Sequence, residues 1–130
     1  MIKLIGTAYK RDDFSTQEFF DYWRDTHAKI SAGSGPLRGY VVSEVLRKLD
    51  NPNNPDEGPG AVQVDGFVEQ WWDDEESMNR AHKTDQEAGA WEDVLNYAKP
   101  NGTFWIVKEH IYIPPPITGP GSLSNNAWIA

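Results

Sequence analysis

The order of secondary-structure patterns along the chain constrains its fold more than any other feature. Segments with strand-like apolar patterns are separated by two segments with helical spacing. The predicted order is a strand over 2–9, a helix over 15–30, strands over 39–48 and 62–72, a helical region over 73–98 that restarts near Thr84, and a strand over 103–113. This β-α-β-β-α-β order predicts an α+β fold with the ferredoxin-like arrangement.

The first predicted helix carries clear signals at both ends. Ser15 and Glu18 have the spacing of a capping box, in which each side chain accepts a hydrogen bond from the other residue's backbone N–H. The glycine and proline residues at 33–36 end the helix. Apolar and aromatic positions between these ends recur at helical spacing, at Phe19, Tyr22, Trp23, Thr26 and Ile30. This spacing predicts one helix face packed against the sheet.

The predicted domain spans residues 1–113 and leaves one sheet face without helices. Several apolar side chains belong to that face, so we expect a homodimer in which two sheets stack. The loop over 50–60 is rich in proline, asparagine and glycine and is expected in solvent. Residues 114–130 form an extended C-terminal tail that opens with three prolines. Trp128 and Ile129 near its end are either a docking anchor or part of a frayed terminus.

Composition and missing motifs exclude several classes of function. A formal net charge of −8 argues against nucleic-acid binding. The absence of cysteine excludes disulfides, thiolate metal sites and cysteine nucleophiles. No segment has the length of a membrane span or the pattern of a signal peptide, so a cytoplasmic location is expected. Without a GxGxxG, P-loop, GxSxG or zinc signature, we expect neither a nucleotide cofactor nor a metal.

Five short motifs, in a fixed order, resemble one known family. They are MIKLI, YWRDTHA, PLRGYV, DGFVEQWWDDEES and IVKEH. In these motifs the chain resembles EthD-type proteins of the dimeric α+β barrel superfamily. The resemblance implies a ferredoxin-like fold paired through its sheets. That superfamily includes methylmuconolactone and muconolactone isomerases, fungal polyketide dehydratases and decarboxylases, cofactor-free monooxygenases and haem-binding branches.

The resemblance also implies two catalytic residues. In the methylmuconolactone isomerase branch, a histidine on the first helix and a tyrosine at the start of strand two carry the chemistry, and these positions match His27 and Tyr40. His27 would act as general base and acid, and Tyr40 would polarise an oxygen. Asp65 would orient His27 or act as a second acid. The residue pattern alone also allows a packed histidine, a core tyrosine and a solvent-facing aspartate.

Aromatic side chains are the candidates for the walls of a substrate pocket. An abundance of tryptophan suits a flat apolar pocket for a ring-shaped ligand, although each ring can also serve packing alone. The candidate substrate-binding residues are Trp23, Phe67, Trp72, Trp105 and His110. His82 lies between polar helix neighbours and is predicted to be on the surface.

Three functional hypotheses follow. The first is a cofactor-independent lyase or isomerase that performs proton transfer, in an isomerisation, dehydration or decarboxylation, on a small cyclic or aromatic metabolite. The second is a cofactor-free monooxygenase of phenolic compounds. The third is a non-catalytic accessory protein that binds an aromatic ligand.

Overall fold

The computed structural model describes residues 1–33, 35–56 and 64–116. Its strands are β1 (Ile2–Ala8), β2 (Leu37–Glu44), β3 (Gly66–Trp72) and β4 (Phe104–Val107). Its helices are α1 (Thr16–Tyr22), which continues through a π-helical segment (Trp23–His27) into α2 (Ala28–Ser31), and then α3 (Glu75–His82) and α4 (Asp85–Val94). The predicted restart near Thr84 is confirmed, since the Thr84 hydroxyl caps α4 by accepting a hydrogen bond from the Glu87 N–H.

The four strands form one antiparallel sheet in the order β2-β3-β1-β4. Burial alternates along β3, where Val68, Gln70 and Trp72 are buried beneath the helices and the intervening residues are only half-buried. The register places Gln70 opposite both Leu4 of β1 and Tyr40 of β2. This topology confirms the predicted ferredoxin-like fold.

The first helix has the predicted capping box, but its hydrogen-bond pattern is not α-helical along its whole length. Ser15 and Glu18 exchange both capping hydrogen bonds. The Ala28 N–H donates to the Trp23 carbonyl, five residues back, and this pattern defines the π-helical segment. The wider turn shifts the buried face by a residue, so that His27 is buried and Thr26 is exposed. The prediction that Thr26 packs on the apolar face was therefore wrong.

Several predicted elements are shorter in the structure. The last strand pairs with β1 only over Phe104–Val107, and the chain from 108 to 116 is exposed and leaves the sheet. Strand β2 ends at Glu44 and helix α4 at Val94, each four residues before its predicted end. The part of the predicted third strand at 62–63 and the tail residues Trp128 and Ile129 lie outside the described residues.

No helix in the described ranges is long and apolar enough to cross a membrane.

Candidate active site

A cavity of about 240 Å³ lies between the sheet and the helices that cover it. Its walls are mainly apolar, with Trp23, Val68, Trp91 and Phe104 among the lining side chains. Its polar lining includes His27, Ser31, Tyr40, Gln70, His82 and Glu87. An apolar cavity with a few convergent polar groups has the character of a small-molecule site.

His27 lines the cavity and is held in one orientation. Its ring is 6% exposed, and its Nδ1 lies 2.9 Å from Asp93 Oδ2. Because a carboxylate only accepts hydrogen bonds, Nδ1 carries the proton and Nε2 keeps its lone pair. That lone pair accepts a hydrogen bond from the Ser31 hydroxyl at 3.2 Å. Burial lowers the pKa of His27 more than the contact with Asp93 raises it, so the ring is a neutral base near pH 7.

Asp93 on α4 is the partner that fixes His27. Its Oδ1 accepts hydrogen bonds from the Tyr22 hydroxyl at 2.6 Å and from Asn96 Nδ2 at 3.0 Å. Burial alone would raise the pKa of Asp93, but the hydrogen bonds from Tyr22, Asn96 and His27 together lower it below its usual value. The carboxylate is therefore ionised at neutral pH, and it can stabilise an imidazolium that forms during a reaction.

Tyr40 joins the same network from strand β2. Its hydroxyl accepts a hydrogen bond from Trp23 Nε1 at 3.0 Å and is also hydrogen-bonded to Ser31. Burial raises the pKa of Tyr40 to about 12, so the hydroxyl keeps its proton and can donate it to an oxygen. A continuous chain of hydrogen bonds thus joins Tyr40, Ser31, His27 and Asp93. The structure brings the two predicted catalytic residues together, with Ser31 between them.

Asp65 lies away from this network. Its Oδ2 accepts a hydrogen bond from the Lys10 backbone N–H at 2.9 Å, and the residue is not part of the cavity lining. Asp65 thus joins the segment that precedes β3 to the segment that follows β1. The position that sequence reasoning gave to Asp65, beside His27, is occupied by Asp93.

Of the five predicted substrate-binding residues, Trp23 alone is among those that line the cavity. Phe67 points to the opposite face of the sheet, because it alternates with the buried positions of β3. Trp72 is 1% exposed and belongs to the core beside Leu4 and Met78. Trp105 and His110 are exposed. The alternation of side chains along strands turns Phe67 and Trp105 away from the cavity, whereas Trp72 belongs to the core and His110 lies beyond the end of β4.

His82 contradicts its predicted position on the surface. It packs between the rings of Trp72 and Trp91, at centroid distances of 5.8 and 6.2 Å, and lines the cavity. Its Nε2 lies 3.8 Å from Glu87 Oε1. The prediction considered only neighbours in sequence, whereas α4 folds back against the end of α3 and covers the ring.

Sequence reasoning missed Asp93, although the chain contained a signal for it. Ala90, Asp93 and Tyr97 are all buried, and their spacing of three and four residues places them on one face. A carboxylate on an apolar face is unusual, because burying a charge is costly unless the charge is paired. Within the residues that the structure describes, no group of three or more His, Cys, Asp or Glu side chains could hold a metal ion.

Comparisons with known proteins agree with this architecture. A crystal structure of an ethyl tert-butyl ether D (EthD) family protein from Bacillus halodurans shares 25% identity and a TM-score of 0.65, covering 85% of this chain and 99% of that one. A dimeric protein with a ferredoxin-like fold from Bacteroides fragilis matches with a TM-score of 0.56 at 11% identity, over 83% of this chain and 95% of the other.

The fold is also shared with a characterised enzyme. SnoaB from Streptomyces nogalater, described as a cofactor-independent oxygenase, has a TM-score of 0.55 at 10% identity, over 88% of this chain and 97% of that one. A comparison with curated proteins found no match. The model of the EthD domain family matches residues 11–101, which is most of the chain. This protein is therefore a member of the EthD family.

Proposed function

We propose that this protein is a cofactor-independent enzyme, a lyase or isomerase, that moves protons on a small cyclic or aromatic compound. The reaction class is isomerisation, dehydration or decarboxylation. One observation carries the proposal: a neutral, buried histidine, oriented by an ionised carboxylate, lines an apolar cavity. This arrangement provides a base at neutral pH from the side chains of the protein itself.

In an isomerisation or a dehydration, each residue of the network has a defined part. His27 Nε2 takes a proton from a carbon beside a carbonyl, and the electron pair of that C–H bond moves into an enolate. The Tyr40 hydroxyl donates a hydrogen bond to the enolate oxygen, and Asp93 stabilises the imidazolium. The proton then returns from Nε2 to another position, or assists the loss of a leaving group. The apolar walls exclude water from the reactive intermediate.

We also propose that the protein works as a homodimer formed through the open face of its sheet. Val41 and Trp105 belong to this face and are 44% and 50% exposed. Ile5 of β1 lies in the same row across the sheet. It pairs with Trp105 of β4 on one side and with Glu69 of β3 on the other, and Glu69 in turn pairs with Val41 of β2. Light scattering after size-exclusion chromatography should give a dimer mass, and Trp105→Glu should shift it to the monomer. A wild-type monomer at high protein concentration would contradict the dimer.

The proposed chemistry can be tested without knowing the natural substrate. Cyclic ketones and lactones with acidic C–H bonds are incubated with the protein in D₂O, and exchange of those protons is followed by NMR. We expect faster exchange of at least one compound with the wild type, and only background exchange with a folded His27→Asn variant. Exchange that persists unchanged in His27→Asn would overturn the assignment, as would the absence of exchange in every compound.

Cofactor-free oxygenation is the second candidate, supported by the shared fold with an oxygenase that needs no cofactor. It also begins with removal of a proton, so the exchange experiment does not separate the two. Oxygen consumption during turnover of a phenolic compound would favour oxygenation. Tight binding of an aromatic ligand with neither exchange nor oxygen uptake would favour the third alternative, a ligand-binding accessory protein.

A further inference from the structure

The floor of the cavity contains a polar group that the proposed chemistry does not use. Gln70 is 8% exposed and lines the cavity in the middle of strand β3. Its Oε1 is buried and has no hydrogen-bond partner within the described parts of the chain. A buried carbonyl oxygen without a donor costs stability, and such atoms are rare in folded proteins. A purely structural role therefore does not explain an amide at this position.

A second buried polar atom without a partner, Trp72 Nε1, provides a useful contrast. Trp72 is 1% exposed and lies outside the cavity lining, packed among core residues. Gln70, in contrast, is opposite Tyr40 in the sheet, and both side chains line the cavity. The Gln70 side chain therefore lies where a ligand that reaches the Tyr40 hydroxyl would also meet it.

The charges around the cavity restrict the ligand further. Glu87, which is 4% exposed, contributes a carboxyl group to the lining. Lys99 also lines the cavity, but its Nζ lies 2.8 Å from the Asp12 carboxylate. Asp93, directly behind His27, adds another negative charge. A ligand carboxylate would therefore enter a site with negative groups nearby, and its oxygens could not donate to Gln70.

We propose that the cavity takes an uncharged ring compound with a phenolic or enolic hydroxyl, which donates a hydrogen bond to Gln70, and that it discriminates against carboxylates, which leaves isomerisation and dehydration, but not decarboxylation, among the reactions proposed above. This proposal names the substrate class of the function proposed above and depends on it only for the location of the site. Gln70 is a specificity-determining residue, because a site built to bond a hydroxyl rejects analogues that lack one.

Three probes with the same two-ring skeleton test this proposal: 2-naphthol, naphthalene and 2-naphthoate. Binding is measured by equilibrium dialysis at pH 7. We expect the wild type to bind 2-naphthol about tenfold more tightly than naphthalene, which is the difference in affinity that one buried hydrogen bond provides. We expect 2-naphthoate to bind more weakly than naphthalene. Gln70→Met, which keeps the side-chain length without the amide, should bind naphthol and naphthalene alike.

The control variant is Gln17→Met, which alters an exposed glutamine on α1 and should keep the preference for naphthol. Equal binding of naphthol and naphthalene by the wild type would overturn the proposal, as would tightest binding of naphthoate or no binding of any probe. If Gln70→Met does not fold, the three wild-type affinities still decide. Binding needs no turnover, so these affinities test the ligand class even if the proposed chemistry fails.

Discussion

Two histidine–carboxylate pairs contribute to the lining of one cavity, yet they differ in almost every physical respect. His27 and Asp93 are joined by a 2.9 Å hydrogen bond between buried groups. His82 and Glu87 come no closer than 3.8 Å, and the His82 side chain is 22% exposed. A separation of 3.8 Å is too long for a hydrogen bond, so His82 has no fixed tautomer from this contact. Residue types alone therefore do not identify a catalytic base.

The difference comes from what holds each histidine in place. Asp93 accepts hydrogen bonds from Tyr22 and Asn96 as well as from His27, so its position and its charge are both fixed. His82 instead packs against two tryptophan rings in edge-to-face contacts, which restrict its ring without a hydrogen bond. The first pair has the geometry that the proposed proton transfer needs, whereas the second lines one end of the cavity.

The largest expected effect separates the two histidines directly. His27→Asn removes the base and should lower the rate of C–H exchange in D₂O about 10²–10⁴-fold, as for loss of a general base. His82→Asn should lower it less than about threefold, since exchange does not require this ring. Circular dichroism should show that both variants are folded. A larger loss in His82→Asn than in His27→Asn would reverse the roles assigned to the two pairs.

The next effect tests how firmly Asp93 is held. Asp93→Asn removes the charged acceptor of three hydrogen bonds, so the free energy of unfolding should fall by about 2 kcal/mol, measured by urea denaturation. The exchange rate should also fall, because Asn no longer selects the His27 tautomer. Glu92→Gln removes an exposed charge from the same helix and should change stability by less than about 0.5 kcal/mol. Equal effects of the two substitutions would show that the Asp93 network contributes no net stability.

Much of the fold was predictable because its signals are local. The capping box at Ser15, the break at Thr84 and the alternation along β3 each depend on residues close in sequence. The π-helical turn was not predictable in this way, since it preserves the composition of a helix and changes only its hydrogen bonds. The length of β4 also escaped prediction, because the strand-like sequence after Val107 runs past the start of β1, the strand with which β4 pairs.

The site was predictable in part. Resemblance to a family pointed to His27 and Tyr40, and the structure places both in one network. Asp93 was missed because its contact with His27 joins residues 66 positions apart in sequence. The prediction names Asp65 instead, because it precedes Gly66 in the predicted third strand, but its carboxylate accepts a hydrogen bond from the Lys10 backbone N–H. Contacts between distant segments depend on how α4 packs against the π-helical segment, and this packing has no local signature.

A smaller effect is expected at the other end of the network. Tyr40→Phe removes the acceptor of the Trp23 N–H and leaves that buried donor unpaired, so stability should fall by about 1 kcal/mol. Exchange should slow as well, since Phe cannot donate to an enolate oxygen. Tyr112→Phe is a matched control, because Tyr112 is 92% exposed. Unchanged exchange in Tyr40→Phe would remove Tyr40 from the mechanism but would leave the His27–Asp93 pair unaffected.

The smallest effect distinguishes the two pairs through the pH dependence of stability. The pKa of His27 is lowered in the folded state from its ordinary value of 6.5, chiefly by burial. The unfolded chain therefore binds a proton first, and stability should decrease as the pH falls below about 6.5, by at most about 1.4 kcal/mol per pH unit. Asp93 contributes in a separate pH range, because its lowered pKa stabilises the fold until the pH falls below about 4.

Urea denaturation between pH 7.5 and 5 should show the decrease in stability caused by His27 in the wild type and in His82→Gln, but a flatter profile in His27→Gln. The same slope in His27→Gln as in the wild type would show that the folded protein does not hold His27 neutral, and the contrast between the two pairs would then depend on geometry alone.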